Sequence, residues 1–207
     1  MEKEIIMTEL CKLAVKYGTD KFQKHHYTEV YSIYFNPIRY KCMNILEIGV
    51  AHGASIKMWL DYFPNSQIFG MDISIPEFIT NNFGNNDIRF TFINGSQYNP
   101  NDLDNIIKSG KNFDIIIDDG SHVAEHQQFS FVYLWKYLKP NGIYAIEDLN
   151  CPRKTYIDTT VDVFKRFQKT KKLMSGITFT NNNISKEIHT CKFYCNDKIL
   201  FIRKKEK

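Results

Sequence analysis

The sequence predicts an α/β fold: a doubly wound sheet of parallel strands with a C-terminal antiparallel hairpin. Three observations carry this. Short apolar runs alternate with segments whose apolar residues recur at three- and four-residue spacing. Ile115, Ile116 and Ile117 are apolar in succession, as a parallel strand covered on both faces requires. Two late runs, Glu187 to Tyr194 and Lys198 to Arg203, meet around Asn196-Asp197 and read as a hairpin.

In chain order, residues 4–16 read as an amphipathic helix and 27–36 as a second, ending before Pro37. Asn44 to Ile48 is an apolar strand closed by Gly49, and Ala54 to Phe63 carries Ile56, Trp59, Leu60 and Phe63 on one helical face. Strands follow at Gln67 to Ile73 and Ile88 to Ile93, then a helix at Asn101 to Ser109 stopped by Gly110. Phe113 to Ile117 is the most buried strand. His126 to Leu138 reads as a helix ending at Pro140, Gly142 to Ile146 as the fifth strand, and 158–173 as a basic helix.

The chain has 207 residues, 43% hydrophobic and 24% charged, which fits one soluble domain and excludes a collagenous chain, a disordered tail and a small disulfide scaffold. Residues 1–43 are expected to form a helical cap or lid, and 44–207 the sheet domain, the two making one compact unit. The net charge is +4. Residues 203–207 contribute +3 and the lysines and arginine of 165–172 another +5, so removing those leaves −4 for everything else. The body is mildly acidic, and nucleic acid is not the expected partner.

The N-terminus lacks a secretory apolar region, and no run approaches the ~18 apolar residues of a membrane span. Five cysteines without a Cys-x-x-Cys pair suit reduced thiols rather than a disulfide or zinc framework, even with Cys191 and Cys195 near His189. A cytoplasmic location is expected.

Gly49-Val50-Ala51-His52-Gly53 joins the first strand to its helix. Glycines let backbone approach a ligand, and the helix N-terminus offers free N–H groups. Ala51 breaks the G-x-G-x-x-G pattern, which disfavours pyrophosphate. Glu47 before the turn suits a cationic ligand, and Asp72 at the end of the second strand suits two ribose hydroxyls. Together they suggest an S-adenosyl sulfonium nucleoside. The competing reading is an ordinary strand–helix turn with a solvated Asp72.

Two further strand ends are acidic: Asp118-Asp119-Gly120-Ser121-His122 and Glu147-Asp148. Ligands bind outside the carboxyl ends of strands in such sheets, so these groups should converge. Crowded carboxylates need protons or a cation. Asp119, Glu147 and Asp148 suit Mg²⁺, which would hold a substrate diol and lower its hydroxyl pKa. His122 would then be the general base. Helix capping is the alternative, and for Asp118 or Asp148 alone it stands equal. The adjacent His25 and His26 suit a surface or lid role.

These motifs, in order YGTDK (17–21), HYTEVY (26–31), LEIGVAHGAS (46–55), GMDI (70–73), IDDGSH (117–122) and IEDL (146–149), resemble the class I S-adenosylmethionine-dependent methyltransferases. They resemble in particular the Mg-dependent sugar O-methyltransferases that include the mycinamicin VI 2″-O- and macrocin O-methyltransferases. The resemblance spans roughly residues 15–150. It implies a Rossmann-like fold, His122 as base, and Mg²⁺ on Asp119, Glu147 and Asp148. It further implies S-adenosylmethionine beside Glu47, Gly49, Gly53, Ser55, Asp72, Gln97 and Asp119, with residues 18–21 folded over it. Ser96 departs from the acidic residue often found there, and the relatives' large N-terminal domain is absent from these 207 residues.

The expected function is methyl transfer to a sugar hydroxyl of a nucleotide sugar, polysaccharide or glycoside. A catechol or amine acceptor is the rival within the same chemistry. A nucleic-acid-associated protein using the basic helix and tail is the rival from another class. The acceptor and any homo-oligomer are left open.

Overall fold

The computed structural model describes residues 7–75, 77, 88–108, 111–151, 157–174 and 183–206. Seven strands form one sheet: β1 (Asn44–Ile48), β2 (Gln67–Asp72), β3 (Phe90–Asn94), β4 (Phe113–Asp118), β5 (Leu138–Ile146), β6 (Ile188–Tyr194) and β7 (Ile199–Lys204). Their order is β3-β2-β1-β4-β5-β7-β6. The pairs among β1 to β5 are parallel, and β7 runs antiparallel to both β5 and β6. The order reverses between β1 and β4, which opens a crevice at their carboxyl ends.

Successive strand residues face opposite sides, and both sides are covered. Ile45, Ile115, Ile117, Ile143 and Ala145 pack on one face with Leu10, Tyr31 and Trp59. Leu46, Ile116, Tyr144 and Ile146 pack on the other with Leu103, Phe131 and Phe164. The first face carries α1 (Glu9–Tyr17), α2 (Tyr27–Phe35) and α3 (Ala54–Tyr62). The second carries α4 (Pro100–Lys108), α5 (Ala124–Leu134) and α6 (Thr160–Thr170). Both faces are covered, which is why strand residues read as continuous apolar runs.

Element boundaries moved where caps or pairing decide them. Thr8 accepts a hydrogen bond from Cys11 N and starts α1, later than residue 4; residues 4–6 of that expected helix lie outside the described residues. Thr159 caps α6 in the same way, and Lys171 in the left-handed region ends it. Residues 135–137 are a 3-10 turn rather than α-helix, and β5 starts at Leu138. Pro140 is tolerated there because the ladder to β4 skips from Leu138–Phe113 to Ile143–Ile115, so no bond from its nitrogen is missed. A short helix, α7 (Ile184–Glu187), precedes β6. The five cysteines are free, and only Cys11 is fully buried. No described helix is long and apolar enough to cross a membrane.

Candidate active site

Gly49 follows β1 with φ +89. A Cβ there would lie 2.0 Å from the Asp119 carbonyl oxygen and 2.6 Å from its carbon. This close approach, with Asp119 N donating to Ile48 O at 2.9 Å, holds the turns after β1 and β4 together. Gly49→Ala is expected to destabilise the fold by about 2–4 kcal/mol, from overpacking plus backbone strain. Gly18→Ala also has positive φ but open space around it, so it should cost only about 1–2 kcal/mol. Equal denaturant midpoints for the two would refute this.

Asp72 closes the glycine turn: its Oδ2 accepts from Val50 N and Ala51 N at 2.8 and 2.9 Å. Gln97 braces the opposite wall. Its Nε2 donates to both Asp118 oxygens at 3.0 Å and its Oε1 accepts from Ser121 N at 2.7 Å. Asp118 is fully buried and also accepts from Ser130 Oγ at 2.6 Å. Burial pushes it up to about 6 against those hydrogen bonds. It is built into the wall.

Two cavities meet at these turns. One of about 230 Å³ is lined by Gly49, Asp72, Gln97, Ser121 and His126. The other, about 440 Å³, runs from Gly18, Thr19 and Asp20 past Ser55 to Asp119, His122 and Asp148. Gly49, Asp72 and Gly120 border both. Glu47 borders neither. It is buried beneath α3, accepting from Ser55 Oγ at 2.6 Å and Trp59 Nε1 at 3.0 Å, and burial raises its carboxyl above the ordinary range. Gly53 starts α3 with φ +79.

The acidic strand ends converge as expected, with one unforeseen partner. Lys21 Nζ lies 2.6 Å from Asp119 Oδ2, 2.8 Å from Glu147 Oε1 and 3.5 Å from Glu47 Oε1. Burial disfavours its ammonium, but Asp119, Glu147 and Glu47 prevail and hold it well above its usual value. Burial, then the Asp119 charge, pushes Glu147 well up. Tyr31 OH also donates to Glu147 at 2.6 Å, and Tyr27 OH to Asp148 Oδ1 at 2.6 Å. Three carboxylates share one ammonium, an excess of negative charge that protons or a second cation would relieve.

His122 and Asp148 both have non-glycine backbones in the left-handed region, φ 58 and 51. Such strain persists only where surrounding structure enforces it. His122 Nε2 is 3.7 Å from Asp148 Oδ2, and its Nδ1 is buried with no hydrogen-bond partner. Asp119, His122 and Asp148 each bring a ligand atom within 4.8 Å of the other two. The two carboxylates fit a divalent cation, and the His122 ring stands beside them. Glu147 is not in this trio, its Oε1 being engaged by Lys21 and Tyr31.

Lys21, Tyr27 and Tyr31 were invisible to spacing arguments, since Lys21 is 98 residues from Asp119 and 126 from Glu147. The Gly18-to-Lys21 motif marked the segment without its contacts. His126 was also missed; it stacks on Tyr98 at 4.4 Å and bonds Ser121 Oγ at 2.8 Å. His25 is stacked on Tyr27 and lies 3.2 Å from Asp20.

A family model described as a methyltransferase domain matches residues 46–149, half of the chain. The chain belongs to this methyltransferase domain family. It is 36% identical over 149 residues to the mycinamicin VI 2″-O-methyltransferase of Micromonospora griseorubida, covering 68% of this chain and 36% of that protein. Identity is also 36% over 149 residues to a Streptomyces olivaceus 8-demethyl-8-(2-methoxy-alpha-L-rhamnosyl)-tetracenomycin-C 3′-O-methyltransferase, covering 68% and 37%. The solved MycE methyltransferase of the mycinamycin pathway, in complex with Mg and SAH, superposes with TM-score 0.79 at 28% identity. That match covers 96% of this chain and 55% of MycE. The chain thus spans about a third of the curated relatives' length.

Proposed function

We infer that this domain carries an O-methyltransferase activity, moving the methyl group of S-adenosylmethionine to a sugar hydroxyl with Mg²⁺ as its second cofactor. The observation that carries the reading is the trio Asp119, His122 and Asp148 standing in a cavity continuous with the glycine turn. The family and the glycoside O-methyltransferases among its relatives support it.

When bound, the sulfonium supplies an electrophilic methyl and the ion favours ionisation of a hydroxyl in its shell. The remaining work falls to this chain. Gly49 and Gly53 let backbone approach the donor, Asp72 offers a carboxylate to the ribose, and Gln97 and Ser55 shape the walls. Glu47 acts from beneath by fixing Ser55 and Lys21. Asp119 and Asp148 would hold the ion, while Glu147, the third carboxylate expected from sequence, would stand behind them on Lys21 and Tyr31. The His122 ring takes the hydroxyl proton as the carbon–sulfur bond breaks and the carbon–oxygen bond forms, and Asp148 Oδ2 stabilises the resulting imidazolium. In-line placement and proton removal are the protein's main contributions, because the donor is intrinsically reactive. Within the N-terminal segment expected to form the cap, Gly18, Thr19 and Asp20 line the larger cavity.

A panel of glycosides, nucleotide sugars, a catechol and an amine, assayed for labelled methyl transfer, tests the acceptor class. Transfer is expected to a sugar hydroxyl and to fall by about 100-fold or more in excess EDTA, returning with Mg²⁺. Full activity without divalent ions would sink the metal role, and transfer confined to the catechol or amine would overturn the sugar.

A further inference from the structure

We propose that the end of the sheet opposite the crevice binds a multiply charged phosphate ester of nucleoside diphosphate size. Lys171 from the end of the basic helix and Lys204 and Lys205 of the basic tail come to this region, although the methyl-transfer chemistry uses none of them. A cavity of about 600 Å³ is lined by Lys136, Lys139, Lys186, Lys204 and Lys205. A second, of about 450 Å³, shares Lys186 and Lys205 and adds Lys171 and His189. Among the described residues, the acids on these walls are Glu187 and Glu206.

The lysines divide into two kinds. Lys139 is paired with Asp114 at 2.8 Å, and Lys204 Nζ donates to Trp135 O and Leu138 O at 2.9 and 3.0 Å. Glu187 is engaged by Trp135 Nε1 at 2.9 Å and Lys204 at 3.3 Å. These groups are structural. By contrast, among the described residues no carboxylate lies within ion-pair distance of Lys136, Lys171, Lys186 or Lys205. Lys136 and Lys171 instead sit over the Tyr137 and Phe167 rings at 4.8 and 5.9 Å. Uncompensated ammoniums around a concavity focus a positive potential that a polyanion relieves, and lysine binds phosphate as a point charge.

The shape argues for a small molecule rather than a nucleic-acid backbone. The larger cavity has ligand-like volume and an apolar floor of Val132, Leu138 and Ile184 between its charges. Lys186 and Lys205 lie on both cavities, so one ligand with two anionic groups can engage both. Asn112 before β4 and Leu138 at the start of β5 place this site at the strands' amino ends. The crevice lies at their carboxyl ends. Six residues of β4 at about 3.3 Å each separate the two by about 20 Å. The bound phosphate ester is therefore not the reacting acceptor, and its binding requires no turnover.

Calorimetric titration of the full chain with uridine diphosphate, inorganic diphosphate, uridine and a short DNA duplex tests this. Uridine diphosphate is expected to bind one-to-one, uridine not at all, and excess S-adenosylhomocysteine should not displace it. The double variant Lys186→Gln/Lys205→Gln should weaken binding about tenfold or more. Lys169→Gln/Lys172→Gln removes the same charge outside both cavities and should stay within about twofold. Melting temperatures equal to wild type show that each variant is folded. Inorganic diphosphate binding equally well supports the site and assigns recognition to the phosphates. No diphosphate binding, equal losses in both double variants, displacement by S-adenosylhomocysteine, or binding of the duplex alone would each overturn the proposal.

Discussion

Replacing His122 with alanine is expected to lower methyl transfer by about 10²–10⁴-fold, the usual contribution of a general base, while S-adenosylhomocysteine still binds. The ring stands in the larger cavity with Asp119 and Asp148 and does not line the smaller one. Its removal therefore takes away the proton acceptor and leaves the walls built by Gln97, Asp72 and Gly49. Alanine carries a second cost, because residue 122 has φ 58, a left-handed backbone that histidine, asparagine and aspartate tolerate better than alanine. His122→Asn separates the two effects. Asparagine tolerates this conformation yet cannot serve as a base near neutral pH. Both variants should lose turnover on an alcohol acceptor, with the asparagine protein melting closer to wild type. An acceptor whose hydroxyl ionises unaided near neutral pH should lose less. Near wild-type turnover of His122→Asn on a sugar would falsify the base assignment.

Strand positions, the antiparallel hairpin and the convergence of the acidic strand ends were legible in the sequence, because each follows from local pattern plus one topological rule. The apolar run through Ile115 to Ile117 needs burial on both faces, and the sheet supplies it. Element ends were less legible. Pro140 argues against a strand by local chemistry, and only the skipped pairing between Leu138 and Ile143 makes it harmless. The site's support was the least legible part. Glu47 was expected to face a cationic ligand, and the cation beside it is Lys21 of its own chain. No periodicity links α2 to the turn after β5, yet Tyr27 and Tyr31 hold Asp148 and Glu147 there. Such contacts depend on where α1 and α2 dock, which apolar patterning fixes only as a face and not as a pairing.

Lys21 is therefore where the second large effect is expected. Its side chain is 1% exposed, and its ammonium is the hub for Asp119, Glu147 and Glu47. Removing one partner of a buried ionic cluster costs about 3–5 kcal/mol, since the remaining charges stay buried without compensation. At about 2–4 °C per kcal/mol for a chain of this size, Lys21→Met should melt roughly 10 °C or more below wild type. Tyr31→Phe removes one hydrogen bond to Glu147 but leaves the ammonium, so its loss should be about 1–3 kcal/mol. Added Mg²⁺ distinguishes a purely structural lysine from one that shares ligands with the proposed ion. In the variant, Asp119 Oδ2 has lost its closest partner and the cluster carries one more negative charge. Mg²⁺ should then raise the variant's melting temperature by more than it raises that of wild type. A Lys21→Met protein that melts with wild type would show that the three carboxylates need no internal cation. One that melts low but gains no more from Mg²⁺ than wild type would confine Lys21 to holding α1 and α2 against the sheet.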